Sequence, residues 1–279
     1  MFPNDDQQNP YSSTYDQGVP TQPSVREGGE IIPTQVDAGD VISYAWQQFK
    51  LHWGPLVGAL FVTMIISYGL QAVCGVVQVL VEGIPNIQQQ PANPNPFGPN
   101  AAVFTPLGIG FTLMQQAVSV FLGIGMTRMS LAAARDKAPG FEQLFSGGRW
   151  FWPIVGFSIL YGIGIMVGFL LLIIPGIILM LMWWPARMVL IDDQAGVMDS
   201  FALARQITKG NWGTTFILGL ASFGITILGF LAMCVGIIFA IPFVGVIWAS
   251  GYLMMSGQIG RLDGRAEPMD YGFDGGFES

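Results

Sequence analysis

Six runs of apolar residues dominate this sequence, of which the first, second, third and fifth are long and the fourth and sixth are shorter. A helix needs about 20 apolar residues to cross the roughly 30 Å of hydrocarbon in a bilayer. Helices are favoured for such runs because a backbone surrounded by lipid must satisfy its own hydrogen bonds. The sequence therefore predicts an all-α, polytopic transmembrane bundle of about six spans, at residues 55–81, 106–127, 153–174, 176–191, 214–239 and 242–259.

Two boundaries between spans rest on prolines. Pro175-Gly176 separates the third run from the fourth, and Pro242 separates the fifth from the sixth. The alternative is one long helix through each proline, but an uncharged helix of about 40 residues does not fit a bilayer that about 20 residues cross. We therefore expect two hairpins that turn at these prolines.

The cationic residues all fall on one side of this topology. All eleven Lys and Arg residues lie in one of four places: before the first run, after the last run, around the connection from run two to run three, or around the connection from run four to run five. The segments 82–105, 175–176 and 240–242 contain none. Because Lys and Arg favour the cytoplasmic side of short loops, we expect a multi-pass protein of the bacterial inner (cytoplasmic) membrane with cytoplasmic N- and C-termini.

The two ends of the chain differ from the apolar middle. Residues 1–36 and 261–279 are polar and lack apolar periodicity, so they cannot bury enough surface to offset the entropy of ordering. We expect two disordered cytoplasmic tails around a membrane domain at 37–260. The outer loop at 83–105 is rich in Pro, Asn and Gln, which favours extended chain.

A short pattern precedes three of the spans: a basic residue, two further residues, Trp, and then Gly or Pro. An amphipathic stretch lies ahead of each copy. The pattern predicts three interfacial helices that turn into the bilayer at one common depth, in a three-fold repeat of interfacial helix plus hairpin. The alternative is three ordinary juxtamembrane linkers. The predicted membrane-interface anchors are Lys50, Trp53, Arg149, Trp152, Lys209 and Trp212.

Polar residues inside the spans are few. Gln71 and Gln78 share a helix face, and Gln115 lies in the second run. They either line a polar path or hydrogen-bond between helices, and the second interpretation is the more common one. Arg187, near the end of the fourth run, either meets lipid phosphate or snorkels to the interface, and we favour snorkelling.

Enzymatic and ion-coupled functions find little support. No Asp, Glu, Lys or His lies in the middle of a span, which counts against a proton-driven transporter. His52 is the only histidine, and phosphate-binding, zinc-protease and nucleophile-elbow motifs are absent. We therefore predict a protein that is not an enzyme and that has no cofactor or metal.

Three stretches of the sequence carry a resemblance: Leu172-Ile-Ile-Pro175-Gly176-Ile-Ile, Val189-Leu-Ile-Asp192, and Ala202 to Trp212. Over residues 38–260 the chain resembles a broad group of bacterial six-helix membrane proteins, mostly of unknown function. That group includes the membrane domain fused to some glycerophosphodiester phosphodiesterases. The resemblance implies a six-helix fold. It does not imply phosphodiesterase activity, which belongs to a separate soluble barrel domain.

The hypothesis that best fits these features is a non-enzymatic membrane module that organises envelope lipid or partner proteins. Its expected partners are membrane lipid and, through the tails, other membrane or envelope proteins, with no nucleic acid. The alternative is a transporter or channel for a small or lipid-like solute.

Overall fold

The computed structural model describes residues 31–82, 105–232 and 235–259. The expectations for residues 1–30, for most of the outer loop and for the C-terminal tail therefore lie outside the described residues. All regular secondary structure within the described ranges is helical. The helices are α1 (Ala38–Glu82), α2 (Pro106–Ala134), α3 (Phe141–Phe145), a 3₁₀ turn (Gly147–Trp150), α4 (Phe151–Leu171), α5 (Ile173–Trp183), α6 (Ala186–Ile191), α7 (Val197–Thr208), α8 (Trp212–Leu231) and α9 (Val235–Met255).

Six helical segments of the described chain are long and apolar enough to cross a membrane. This confirms the predicted all-α transmembrane bundle, and the protein is an integral, multi-pass membrane protein. The fourth segment consists of α5 and α6 together, which are separated only by a bend at Trp184-Pro185. The segments are Ala38–Val81, Pro106–Ala134, Phe141–Leu171, Ile173–Ile191, Trp212–Leu231 and Gly236–Met255.

The first span is much longer than predicted. Helix α1 has 45 residues, which is about 67 Å at 1.5 Å per residue. The expected turn at Gly54 is wrong, because the helix continues through Gly54 and Pro55. Pro55 removes one backbone hydrogen bond, to the carbonyl of Leu51, and the flanking turns keep the rest. The predicted interfacial stretch and the first span are thus one continuous rod, which extends well beyond a 30 Å hydrocarbon layer.

Both proline turns are displaced from their predicted positions. Helix α4 ends before Leu172, whose backbone is extended (φ −167°, ψ 153°), and Pro175 lies in the first turn of α5. Proline is tolerated there because the first-turn N–H groups have no helical partner. Pro242 lies inside α9, so the turn from α8 to α9 falls between Leu231 and Val235.

Close glycine contacts hold the second and third hairpins together near their turns. A Cβ atom on Gly168 of α4 would lie 3.0 Å from the Cα of Gly176 on α5. A Cβ atom on Gly229 of α8 would lie 3.1 Å from the carbonyl oxygen of Gly236 on α9. Small residues allow backbones to approach this closely, as is typical of helices packed in lipid.

Helices α2, α6 and α9 finish with the same backbone motif. In each, a residue in the left-handed conformation follows the helix: Asp136 (φ 56°), Asp193 (φ 55°) and Gly257 (φ 71°). The next N–H donates to the carbonyl five residues back, from Lys137 to Ala132 (2.9 Å), Gln194 to Val189 (3.1 Å) and Gln258 to Leu253 (2.9 Å). These are Schellman ends. The three-fold repeat therefore appears in the backbone at the end of each hairpin. The three Trp patterns before the hairpins differ from one another in backbone conformation, since Trp53 lies within α1 whereas Trp152 and Trp212 lie in the first turns of α4 and α8.

The N-terminal segment joins the same end of the bundle. The N–H groups of Ile32 and Thr34 donate to the carbonyls of Ser256 and Met255, at 3.1 and 3.0 Å. Asn211 accepts from the N–H of Val36 at 3.0 Å and donates to the carbonyl of Thr34 at 2.8 Å. Residues 31–36 are therefore packed against the membrane domain, so the prediction of a disordered tail is wrong at these six residues. We call this end of the bundle, where α2, α6 and α9 finish, the terminal end.

Deletion of residues 1–36 is expected to destabilise the protein, whereas deletion of residues 1–30 is not. The longer deletion removes five hydrogen bonds between residues 31–36 and the rest of the protein, which is about 2.5 to 5 kcal/mol at about 0.5–1 kcal/mol per bond. Thermal unfolding in detergent measures the difference. Equal stability of the two deletions would contradict it, and Asn211→Ala in the full chain is expected to reproduce part of the loss.

A reporter inserted at Leu172 or Ala232 is expected on the opposite side of the membrane from one inserted at Pro139 or Ala195. The first two positions lie at the hairpin turns, and the other two lie between successive hairpins. A fusion after Ile259 is expected on the same side as Pro139. Fluorescent and alkaline-phosphatase reporters distinguish the sides, and a signal at Leu172 that matches Pro139 would refute six spans.

Candidate functional site at the terminal end

A network of polar side chains joins the ends of the three hairpins. Arg135 follows α2, Asp192 follows α6, and Gln258 follows α9, each within the Schellman ends described above. Arg135 Nη2 donates to both carboxylate oxygens of Asp192 and to Oε1 of Gln258, all at 2.7 Å. The hydroxyl of Tyr252 and Nε2 of Gln258 each donate to Oδ2 of Asp192 at 3.1 Å. We call these four residues the polar clasp.

The ion pair in the polar clasp is largely shielded from its surroundings. The Arg135 and Asp192 side chains are only 13% and 10% exposed. A shielded pair is costly to break, because the remaining partner becomes an uncompensated charge. Each partner is fixed by the cap of its own helix, so the pair holds the first hairpin to the second, and Gln258 adds the third.

A cavity of about 430 Å³ lies beside the polar clasp, between α2, α3, the 3₁₀ turn and the end of α6. Helix α3 closes one side because it lies directly on the backbone of α2, with Leu144 against Gly125. The cavity is lined by Arg128, Leu131, Ala132, Arg135, Lys137, Gln143, Arg149, Trp150, Ile191, Asp192 and Asp193.

The cavity carries an excess of positive charge. Among the described residues, four cationic and two acidic side chains line it, so cations outnumber acids by two. Arg149 and Asp193 form an exposed ion pair at 3.4 Å. Arg128 lies 4.4 Å from the centre of the Trp150 ring and donates to the hydroxyl of Ser146. Arg128 thus has no carboxylate partner among the described residues, and its charge is available to an anion.

Two buried polar atoms of the lining lack a hydrogen-bond partner in the described chain. They are Nε of Arg135 and Oε1 of Gln143. Buried groups of this kind are usually satisfied by a partner or by water. Trp150 supplies an apolar wall, and its Nε1 donates to Asp193 at 3.0 Å. The cations of the lining, together with the ring of Trp150, are suited to bind an anionic group.

The structure treats the six predicted anchor residues differently. Arg149 lines the cavity. Trp152, in the first turn of α4, is 77% exposed, and Trp212, the first residue of α8, is 38% exposed. Lys209 is exposed at the end of α7, and Lys50 lies 5.8 Å from the ring centre of Trp46 on α1.

The prediction that Trp53 and Trp212 lie at one depth is wrong. Trp212 begins α8 beside the end of α9, because its neighbour Asn211 holds the N-terminal segment that pairs with Met255. Trp53 instead contacts Phe239, with ring centres 6.0 Å apart. Phe239 lies sixteen residues before Met255, or about 24 Å along α9. The continuous α1 carries Trp53 past the level where the other hairpins begin.

The three glutamines predicted to make polar contacts within the spans differ in exposure. Gln71 is on the exposed face of α1, and Gln78 and Gln115 are half-buried. No hydrogen bond joins Gln71 to Gln115 in the described residues. Gln71 lies on α1 and Gln115 lies on α2. The sequence does not determine the relative positions of these two residues along the axis of the bundle.

Most residues of the site were not singled out from the sequence as site residues. Arg128 and Arg135 were used only to assign topology, and Asp193, Gln143 and Trp150 were not singled out. A weak signal exists in hindsight: Arg-Asp-Lys, Asp-Asp-Gln and Ser-Gly-Gln follow the second, fourth and sixth spans. Short polar triplets of this kind are common after helices, so their convergence required the tertiary structure.

Comparison with known proteins finds no matching protein-family model, no matching curated protein and no matching solved structure.

Replacement of Arg135 by Met is expected to lower the free energy of unfolding by about 3–5 kcal/mol, because Asp192 is left as a shielded, unpaired charge. The matched control is Arg149→Met, which breaks an ion pair whose Arg149 side chain is 73% exposed and is expected to cost about 0–1 kcal/mol. Unfolding by chemical denaturant in detergent micelles measures both.

The double variant Arg135→Met/Asp192→Leu removes both charges and is expected to recover part of the loss. Equal, small effects of Arg135→Met and Arg149→Met would show that the polar clasp does not hold the hairpins together.

Proposed function

We propose that this protein is a non-enzymatic membrane module that organises anionic lipid at the cytoplasmic face of the inner membrane. In this proposal the cavity beside the polar clasp binds the phosphate-containing headgroup of a lipid. The observation that carries it is the excess positive charge of the cavity, with Arg128 free of any carboxylate partner in the described chain.

Exposed aromatic residues around the cavity support a lipid rather than a soluble ligand. Phe141 and Phe145 on α3 are 47% and 53% exposed, and Trp152 at the start of α4 is 77% exposed. Aromatic side chains next to cations are typical of the membrane–water interface. A lipid headgroup in the cavity would leave its acyl chains beside these aromatic side chains.

The orientation follows from charge. The cavity cations Arg128, Arg135, Lys137 and Arg149 belong to segments that the positive-inside rule assigns to the cytoplasm. The phosphate monoester or diester of an anionic lipid accepts several hydrogen bonds, which suits arginine. We also propose that partner proteins bind through the tails. We further propose that the chain is similar to other six-helix membrane proteins.

The experiment compares lipid retention by the full chain and by two variants. Arg128→Gln removes the unpaired cation of the cavity, whereas the control Arg205→Gln removes an exposed cation of α7 that does not line the cavity. Native mass spectrometry of protein released from nanodiscs counts bound phosphatidylglycerol and phosphatidylcholine. We expect Arg128→Gln to weaken phosphatidylglycerol binding about tenfold, the value of one charge-assisted hydrogen bond.

The control is expected to bind as the wild type does, and phosphatidylcholine binding is expected to change in neither variant. Equal retention of both lipids by the wild-type protein would refute the proposal. Flux of a small solute through reconstituted liposomes would instead favour the transporter or channel.

A further inference from the structure

A second cation lies deeper in the bundle than the cavity. Arg187 belongs to α6, inside the apolar segment Ile173–Ile191. It precedes Asp192 by five residues, or about 7.5 Å of helix. Its neighbours Ala186, Val189 and Leu190 are all buried. Arg187 therefore belongs to a well-buried, apolar stretch of α6.

This guanidinium has no partner within the described residues. Nε of Arg187 is inaccessible and makes no hydrogen bond, and no ion pair involves Arg187. Its Nη2 lies against the backbone of α2, where a Cβ atom on Gly123 would be only 3.1 Å away. Gly123 therefore leaves the space that the guanidinium occupies.

The nearest carboxylates along the chain are already engaged. Asp192 pairs with Arg135, and Asp193 pairs with Arg149 and Trp150. Of the helices that contact α6, α2 and α4 contain no Asp or Glu, and Asp199 of α7 is exposed and forms no ion pair with Arg187 in the described residues. An arginine retained in an apolar segment without a counter-charge is expensive and marks a functional position.

We infer that Arg187 binds a phosphate group, as an anion site separate from the cavity. The planar guanidinium can donate two parallel hydrogen bonds to phosphate oxygens, and Arg187 as a whole is half-buried rather than fully enclosed. The phosphate belongs either to a membrane lipid or to free inorganic phosphate. This site uses none of the residues of the proposed headgroup cavity, so either site can exist without the other.

Snorkelling is the competing explanation, and it makes a different prediction. A snorkelling arginine is solvated at the interface, so its replacement changes neither lipid retention nor phosphate binding. A phosphate-binding arginine is instead destabilising when the site is empty. Arg187→Leu is then expected to melt at the same or a higher temperature than the wild type in lipid-free detergent, and to lose the stabilisation that the anion provides.

The test measures melting temperature and bound lipid for the full chain, Arg187→Leu, Arg187→Lys and the control Arg205→Leu. Each is titrated with phosphatidylglycerol, phosphatidylcholine or inorganic phosphate in detergent. Arg187→Leu is expected to weaken anion binding about tenfold, and Arg187→Lys less, since it keeps the charge but loses the paired donors. Stabilisation by phosphatidylglycerol alone identifies a lipid phosphate, and stabilisation by inorganic phosphate identifies the free ion.

A glycine pair keeps the inference testable if Arg187→Leu fails to fold. Gly123→Ala crowds the guanidinium and is expected to weaken anion binding several-fold, whereas Gly110→Ala on the same helix meets no atom within 4 Å and is expected to change nothing. The inference is overturned if Gly123→Ala binds the anion as tightly as the wild type does and either Arg187 variant, measured separately, does so too. If Arg128→Gln alone loses lipid, the proposed cavity stands and the Arg187 site does not.

Discussion

The shielded ion pair between Arg135 and Asp192 is the contact on which the terminal end of the bundle depends. Helices in lipid gain little from apolar contact with one another, so close packing and polar contacts must hold them together. Here the first and second hairpins meet through that pair, and Gln258 and Tyr252 bring in the third. The Schellman ends place these side chains, because each fixes the direction of the chain directly after a helix.

The polar clasp also determines the charge of the cavity beside it. Asp192 forms an ion pair with Arg135. Asp193 forms an ion pair with Arg149 and accepts a hydrogen bond from Trp150. Both described acids of the lining are therefore paired with neighbours, and Arg128 has no carboxylate partner among the described residues. A structural ion pair and a candidate anion site thus arise from the same group of residues.

Packing is uneven along the bundle. Buried side chains concentrate near the terminal end, as in α9, where Tyr252, Leu253 and Met255 are inaccessible. Near the turn between α4 and α5, Leu170, Leu172 and Ile174 are 68–84% exposed, as suits side chains that face lipid. Only glycine contacts such as Gly168 with Gly176 hold that region closely. The network and the candidate site therefore share the best-packed part of the protein.

Apolar run length and the scarcity of charge determined the fold class, because a chain that must satisfy its backbone in lipid has few alternatives to helices. The number of spans followed from the same rule. The same rule did not predict where helices continue through a proline. Pro55 and Pro242 both lie inside helices, because the loss of one backbone hydrogen bond costs little compared with the bonds that the rest of the helix keeps. Local pattern also placed Trp53 wrongly, because depth depends on how far α1 runs before it meets its neighbours. The candidate site was decided by tertiary structure alone, since Arg135, Asp192 and Gln258 are separated by 57 to 123 residues and converge only when three helix ends meet.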